Sequence, residues 1–296
     1  MTTEPTGAVF DLGYVPHSGP RLGRRGAFKA VILDGVRRVL GLRRKARKKV
    51  LPWVLFGVAL LPAIVFVGLA FFLSTFSPDA ESPFGGHAEY FGLAAGSTLL
   101  FIALAVPELL IPDRVQGVLA VYSSRPLTAR DYLLARFTSL VIVLSGFLIV
   151  PQLLLYFGLS SLDPDGVATA LVANLDNLPK ILATSLAFVV AYGCPAILVS
   201  IFAKRLAPAS GVFLGIMFVS QVLAESLSEG AETLGRWVSL VALPDHPLAI
   251  RDWVFGEQSA SIMGRAGYSP WASVGILTVI AIATGWIAIR RYRELM

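Results

Sequence analysis

Residues 51–73 read LPWVLFGVALLPAIVFVGLAFFL and contain no charged side chain. The hydrocarbon core of a bilayer is about 30 Å thick, and a helix of about 20 apolar residues crosses it. The stretch therefore predicts a transmembrane helix. It begins too far along the chain and runs too long for a signal peptide, and no small-residue cleavage site follows it.

Five further stretches are long and apolar enough to span a membrane, and the shortest of them is the fifth span. The chain is 55% hydrophobic and only 15% charged, with a mean hydropathy of +0.72. A soluble domain carries roughly 25% charged residues. We therefore predict an all-α, polytopic membrane protein with six transmembrane helices. Their approximate positions are Leu51–Leu73, Phe91–Ile111, Leu133–Leu159, Leu178–Ala203, Ala207–Ala224 and Trp271–Ile289.

The basic residues lie almost entirely on one side of these spans. Of the 25 lysines and arginines, 21 fall before the first span, between the second and third, after the fourth or after the sixth. The loops at 74–90 and 160–177, on the opposite side, contain neither residue. Because loops rich in lysine and arginine stay in the cytoplasm, we predict a multi-pass protein whose N- and C-termini are both cytoplasmic.

The predicted organisation has three parts: a basic cytoplasmic segment at 1–50, a membrane domain at 51–290 and a cytoplasmic tail at 291–296. Apolar residues recur at helical spacing in the first part, and arginines and lysines separate them. This pattern is typical of an interfacial helix, with an apolar face in the acyl boundary and cations against anionic membrane lipids. The apolar residues are Phe28, Val31, Ile32, Val36, Val39 and Leu40.

Two roles are open for this basic segment. It is a topological anchor, or it is a lever that shifts during a functional cycle. The run Arg43–Lys49 adds a strong stop on the cytoplasmic side. A basic stripe beside a span is already explained by the membrane surface, so nucleic acid is not predicted as a partner.

The loop between the second and third spans, residues 107–136, reads PELLIPDRVQGVLAVYSSRPLTARDYLLAR. Pro112 and Asp113 indicate a break and a fresh helix start, which predicts a short helix at about 113–123. Pro126 prevents its simple continuation, and Thr128 with Asp131 resembles a capping box that begins the third span. One apolar stripe, at i, i+3, i+4 and i+7, consists of Val115, Val118, Leu119 and Tyr122.

A connector could be much shorter than this loop. Its structure therefore indicates a surface that a cytoplasmic partner contacts. The alternative is a helix that only lies on the lipid interface.

This loop resembles the corresponding loop of ABC-2 type transporter permeases, of the kind found in actinobacteria. The opening stretch at 11–25, DLGYVPHSGPRLGRR, resembles the N-terminus of such permeases, and the order of basic elbow, six spans and long external segment is also similar. The loop residues that match the family pattern are Pro112, Asp113, Arg114, Gly117, Tyr122, Arg125, Pro126, Leu127, Thr128, Asp131 and Tyr132.

The resemblance implies a permease subunit of an ATP-binding cassette transporter in the bacterial plasma membrane. The short helix after the second span would be the coupling helix that rests on a separate ABC ATPase subunit. A second permease subunit, identical or different, would complete the pathway, and the transporter would export a substrate that the resemblance does not identify. The candidate ATPase contacts are Arg114, Gln116, Gly117, Tyr122, Arg125 and Arg130.

No catalytic role is predicted for this chain. It lacks the G-x-x-x-x-G-K-[ST] motif that cradles phosphates, so ATP and Mg²⁺ would be bound by the partner ATPase and no cofactor by this chain. The three histidines and the single cysteine, Cys194, show no metal-ligand spacing. No predicted span contains a histidine, which counts against an intramembrane protease. A non-catalytic scaffold or regulator remains the alternative function.

Two polar residues within the spans are candidates for a substrate path. Glu108, near the cytoplasmic end of the second span, lines such a path, reaches the interface, or pairs with Arg114 or Arg136. Gln152 lines the path or bonds to a neighbouring helix. The segment at about 225–270 is too long for a connector and too broken to span, and in ABC-2 permeases similar segments dip back as short helices forming an outer gate.

Overall fold

A computed structural model describes residues 22–42, 50–76, 86–124, 126–228, 232–258 and 261–296. These residues form helices and connecting turns, with no strand among them. The basic run Arg43–Lys49, Arg125 and most of the stretch at 11–25 lie outside the described residues. The helices are α1 (Gly23–Val39), α2 (Val50–Phe76), α3 (His87–Val115), α4 (Val118–Ser123), α5 (Ala129–Ser160), α6 (Val167–Ala173), α7 (Asn177–Phe202), α8 (Leu206–Ser228), α9 (Glu232–Ser239), α10 (His246–Phe255), α11 (Ile262–Arg265) and α12 (Pro270–Arg293).

Six of these helices, α2, α3, α5, α7, α8 and α12, are long and apolar enough to cross a membrane. Each coincides with one of the six predicted spans, which confirms their number and order. Five of the helices extend beyond both predicted bounds, whereas α7 ends at Phe202, one residue before the predicted end. Helix α3 begins at His87. The expectation that no span contains a histidine is therefore wrong at the first residue of α3, because the helix continues past the apolar stretch that marked the span.

The six long helices differ in how much of their surface faces the protein. The buried share of the membrane-length segment is 67% in α3 and α7 and 50% in α5, but only 22% in α2, α8 and α12. Helix α3 packs against α7, α2, α8 and α5. The centre of the bundle is therefore α3, α5 and α7, and the other three long helices form its periphery.

Helix α1 packs along α5. Val31 and Val39 are buried in the core of the bundle, and the other residues of the predicted apolar stripe are partly buried against the same core. Gly35 makes the approach possible, because an added Cβ there would lie 2.7 Å from the Ser139 Cβ. The stripe expected to face lipid acyl chains thus faces the core of the bundle, while Arg25, Lys29 and Arg37 are exposed on the other side.

The loop after α3 differs from the prediction at its break. Helix α3 continues through Pro112 to Val115, and the Gln116 backbone N–H still donates to the Pro112 carbonyl. The chain breaks at Gly117, whose φ of +70° is in the left-handed region that glycine adopts without a Cβ penalty. The capping box is confirmed, since the Thr128 side chain accepts from the Asp131 N–H and the Asp131 carboxylate accepts from the Thr128 N–H.

The segment between α8 and α12 contains three short helices that pack back on the bundle. Helix α10 contacts α7, α12 and α3. The Tyr192 hydroxyl donates to the Pro244 carbonyl at 3.5 Å, and Tyr192 lies about 22 Å along α7 from Asn177 at 1.5 Å per residue. The turn before α10 is therefore inserted alongside α7.

Candidate functional site

One end of the bundle brings together α1, α4, the first turns of α5 and the last turns of α7 and α12. We call it the α4 end, and the opposite end, which carries α6 and α10, the α10 end. The Tyr132 ring of α5 stacks on the Tyr292 ring of α12 with centroids 5.5 Å apart. The Arg114 guanidinium donates to the carbonyls of Ser200, Ile201 and Ala203 at the end of α7. The ring contact joins α5 to α12, and the hydrogen bonds of Arg114 join α3 to α7.

The side chain at the centre of this end is Asp113, whose carboxylate is 1% exposed. It accepts from Arg38 Nη1 at 2.7 Å, from the Tyr132 hydroxyl at 2.8 Å and from Arg136 Nη2 at 2.5 Å. The three donors come from α1 and α5, whereas Asp113 belongs to α3. A single carboxylate therefore holds three helices at one point.

Arg136 is as deeply buried as its partner, with 1% of its side chain exposed. Its Nη2 also donates to Asp34 at 2.9 Å, and its Nη1 donates to the Val31 carbonyl at 3.3 Å. Arg38 bonds to Asp34 at 2.9 Å as well. Two arginines thus face two aspartates, and this balance offsets the cost of burying charge. We call Asp34, Arg38, Asp113, Tyr132 and Arg136 the Asp113 cluster.

Tyr122 connects the short helix α4 to this cluster. Its hydroxyl lies 3.4 Å from Arg136 Nη2, and its ring centroid lies 5.4 Å from that of Tyr132. Burial, followed by the nearby Asp113 carboxylate, raises the pKa of Tyr122 above its ordinary value. The hydroxyl therefore stays protonated at neutral pH and can accept from Arg136. A displacement of α4 would pull directly on a buried group shared by α1, α3 and α5.

The N-terminus of α1 has its own link to α5. Arg24 donates two hydrogen bonds to Asp131, at 2.7 and 3.1 Å. Asp131 is also the residue that completes the capping box with Thr128. Helix α1 is therefore attached to α5 both at this partly buried ion pair and at the buried Asp113 cluster.

The predicted ATPase contacts occupy three different environments. Gln116, Gly117 and Arg130 are exposed at the α4 end. Tyr122 is half-buried against the cluster, and Arg114 is half-buried against α7. Arg125 lies outside the described residues. The exposed surface of α4 also includes Val121, and Val115 precedes it, with exposed fractions of 55% and 56%.

Gln152 and Glu108, the candidates for a substrate path, lie at different depths. Gln152 is fully buried, and it bonds to His87 of α3 through Oε1 at 2.5 Å and through Nε2 to the His87 carbonyl at 2.9 Å. Gln152 thus makes a hydrogen bond to a neighbouring helix, which is one of the two roles that the sequence left open for it. Glu108 is half-buried and lines a cavity of about 510 Å³ next to Arg38.

The sequence did not predict the Asp113 cluster. Arg136 was expected as a cytoplasmic positive charge or as a partner of Glu108, whereas the structure pairs it with Asp113 and Asp34. Arg38 and Asp34 were not singled out. One signal was available: Asp113 and Arg136 both adjoin long apolar segments, where an ionised side chain requires a partner. The partners of Asp113 are far from it in sequence: Arg38 is 75 residues away and Arg136 is 23 residues away. Sequence spacing alone therefore did not identify them.

The arginine and aspartate side chains of the Asp113 cluster are hydrogen-bonded to one another. Across the residues that the structure describes, no group of three histidine, cysteine or acidic side chains could hold a metal ion. Comparison with models of known protein families and with curated proteins gave no match. The Asp113 cluster thus connects α4, through Tyr122, with α1, α3 and α5.

Proposed function

We propose that this chain is the permease subunit of an ATP-binding cassette transporter and that α4 contacts a separate ATPase. The observation that carries the proposal is the link from an exposed short helix to a buried ion-pair cluster. ATP hydrolysis in a soluble partner moves transmembrane helices only through a rigid element joined to them. Tyr122 and Gly117 fix α4 at both ends, one by contact with Arg136 and the other by its left-handed backbone.

The exposed apolar side chains of this surface support the same proposal. Val115 and Val121 leave more than half of their surface uncovered at the α4 end. The described basic residues of α1, of the α3–α5 loop and of the last turn of α12 lie at this end. Under the positive-inside rule this end faces the cytoplasm. ATP and Mg²⁺ belong to the ATPase, and a second permease subunit would complete the pathway in a bacterial plasma membrane.

A matched pair of substitutions tests the contact. Val121→Asp places a charge on the exposed face of α4, and Val172→Asp places one on the exposed face of α6 at the α10 end, where Val172 is 69% exposed. We expect Val121→Asp to reduce the amount of co-purified ATPase at least about tenfold, since an uncompensated charge in an interface costs over 1.4 kcal/mol. Val172→Asp should retain it.

Both variants should migrate as the wild type in size-exclusion chromatography, because both side chains are exposed. Equal ATPase recovery with Val121→Asp and Val172→Asp would contradict the assignment of α4. Loss of the ATPase in both variants would also contradict it, because the loss would not be specific to the α4 surface.

A further inference from the structure

Helix α9 runs back along the last turns of α8 at the α10 end. Gly235 allows the two helices to approach closely, because a Cβ added there would lie 2.6 Å from the Leu227 carbonyl oxygen. Further along the chain, Ala242 packs with Ala224 of α8 and Ile262 of α11. Since Ala224 precedes Leu227 in α8, the chain passes from the end of α8 back toward the middle of the bundle.

An exposed apolar stripe lies beside this contact. Leu234 and Trp237 are one turn apart on α9, and Val241 follows in the turn that directly continues the helix. Their exposed fractions are 55%, 66% and 55%, in chain order. Gly235 and Ser239, on the side that packs against α8, are buried. We call Leu234, Trp237 and Val241 the α9 stripe.

The positive charge of α9 lies on another face of the helix. Arg236 follows one residue before Trp237, which places it about 100° away around the helix axis. The Arg236 guanidinium carbon lies 5.1 Å from the centroid of the Tyr268 ring. An apolar face on one side and a cation on another are typical of a helix that lies at the boundary between acyl chains and head groups.

The position of α9 beside α8 favours lipid as the partner of the stripe. Helix α8 is long and apolar enough to span a membrane, and only 22% of its membrane-length segment is buried. Its exposed side chains include Phe218, Val219 and Leu223, at 69%, 52% and 50%. Exposed apolar side chains of a spanning helix face acyl chains, so the stripe lies on the same lipid-facing periphery. Tryptophan is also enriched at the membrane–water interface.

We propose that the α9 stripe is embedded in the phospholipid bilayer at the α10 end, with Trp237 at the boundary between head groups and acyl chains. Val241 lies deeper than Leu234, because the chain continues from it to Pro244, whose carbonyl accepts from Tyr192 alongside α7. The partner is the phospholipid itself and not a soluble protein. This inference requires that the six helices span a membrane, but not that the chain be a transporter.

The stripe is connected to the inserted helix α10. His246, the first residue of α10, has its Nε2 3.1 Å from the Leu240 carbonyl. Leu240 lies between Trp237 and Val241 in the chain, so a displacement of the stripe moves a group that is bonded to α10. The lipid that surrounds α9 therefore acts on the position of α10 through this hydrogen bond.

Site-directed spin labelling of the purified chain in phospholipid nanodiscs tests the inference. The single cysteine, Cys194, is buried, and Cys194→Ala provides a background without thiols. Leu234→Cys, Trp237→Cys and Val241→Cys are then made separately in this background and labelled with a nitroxide. Collision rates of each nitroxide are measured with oxygen, which concentrates among acyl chains, and with a nickel chelate, which stays in water. The ratio of the two rates reports depth in the bilayer.

Three further sites calibrate the measurement. Asp165→Cys, in the exposed turn before α6, is the water reference, and Phe218→Cys, on the exposed side of α8, is the lipid reference. Arg236→Cys is the matched control on another face of α9. We expect the oxygen-to-chelate ratio at Trp237→Cys to exceed that at Arg236→Cys at least about fivefold, because only the stripe is in the acyl boundary.

The ratio should also rise from Leu234→Cys to Val241→Cys. The substituted side chains of the stripe are exposed, so the variants should fold, and size-exclusion profiles check this. Each stripe position gives an independent reading if one variant fails.

A ratio at Trp237→Cys equal to that of Asp165→Cys would place the stripe in water and overturn the inference. Rare collisions with both reagents would also overturn it, because another protein chain would then cover the stripe. Equal ratios at Trp237→Cys and Arg236→Cys would show that α9 has no single lipid-facing side, with the same consequence. The assay uses the chain without any partner, so its result is independent of ATPase capture.

Discussion

Asp113 is a buried carboxylate that joins helices far apart in the chain. It adjoins Arg38, Arg136 and Tyr132, and water reaches almost none of its surface. A buried ion pair adds little net stability compared with an apolar replacement, but removing one partner leaves the other charge uncompensated, at a cost of about 3–5 kcal/mol. The Asp113 cluster is therefore sensitive to single substitutions and tolerant of balanced ones.

Asp113→Asn should strongly destabilise the protein, because Arg38 and Arg136 would then share a single carboxylate, that of Asp34. The expected loss is about 3–5 kcal/mol of unfolding free energy, which thermal unfolding in detergent would detect as a lower midpoint. Asp165→Asn, in the exposed turn before α6, is the matched control and should leave the midpoint unchanged.

A double variant sharpens this test. Replacing Arg136 by Met together with Asp113→Asn leaves Arg38 paired with Asp34 and restores the charge balance, so part of the lost stability should return. If the double variant were less stable than Asp113→Asn alone by the full cost of the second substitution, the charges would not act as a unit.

At the residue scale, sequence predicted local pairs and missed distant ones. The capping box of Thr128 and Asp131 was predictable because its partners are three residues apart and the geometry is fixed by the first helical turn. The bonds of Asp113 depend on how α1, α3 and α5 align in space. That alignment has no local sequence signal.

The contact between α1 and α5 depends on small side chains at one crossing. Gly35 faces Ser139, and the Ser139 hydroxyl donates to the Ile32 carbonyl at 3.0 Å. Small residues let helix backbones approach closely in membrane proteins. The crossing also places Arg136 Nη1 near the Val31 carbonyl, so the Asp113 cluster depends on this spacing.

Gly35→Val should push α1 away from α5, because even a single added Cβ would clash with Ser139. Overpacking of this kind costs about 1–3 kcal/mol, and limited proteolysis should cut the α1 region faster than in the wild type. Gly57→Val is the matched control, since a Cβ added at Gly57 of α2 meets no atom within 4 Å. Equal proteolysis of both variants would show that the crossing is not tight.

The insertion of α10 depends on a buried imidazole at its start. His246 is fully buried, with Nε2 3.1 Å from the Leu240 carbonyl and Nδ1 3.1 Å from the Ser273 hydroxyl. The Nε2–H must donate to the carbonyl, so Nδ1 accepts from Ser273 in the neutral ring. Burial lowers the pKa of His246 below its ordinary value of 6.5.

This lowered pKa predicts a loss of stability in acid. The unfolded segment takes up a proton at a higher pH than the folded one, so the contribution of His246 is lost as pH falls below about 6.5. Burial raises the pKa of the adjacent Asp245, which acts in the opposite direction. Comparison with His246→Gln cancels that effect, because Asp245 is present in both proteins.

The wild type should therefore lose more thermal stability than His246→Gln when the pH is changed from 8 to 5.5. The glutamine can still donate to the Leu240 carbonyl, and it does not titrate. Parallel pH dependence of the two unfolding midpoints would contradict the assignment of the acid sensitivity to His246.

At the element scale, hydrophobic length predicted the long helices, and turn chemistry predicted only part of the α3–α5 loop. Pro112 indicated a break five residues too early, because a proline near the end of a helix is tolerated when later residues keep their hydrogen bonds. Gly117 makes the break, and its positive φ is a property that a lone glycine in the sequence suggests but does not establish.

At the scale of the whole molecule, the number and order of the long helices were predictable from hydropathy, whereas their packing was not. The mean hydropathies of α3 and α7, 2.0 and 2.1, lie within the range of 1.8 to 2.7 of the peripheral helices, yet the buried share is 67% in the first two and 22% in the others. Helix position is set by complementary side chains and polar contacts between helices, which a single apolar stretch does not reveal. The exposed sides of α2, α8 and α12 remain available to lipid or to another subunit.

The most direct test of the transporter proposal is affinity purification of this chain from its native membrane in mild detergent, followed by identification and quantification of co-purifying proteins. The account predicts a Walker-type ATPase in stoichiometric amount, with ATP hydrolysis in the purified complex. Repeated recovery of a folded chain without any such ATPase would contradict it and favour a non-catalytic scaffold.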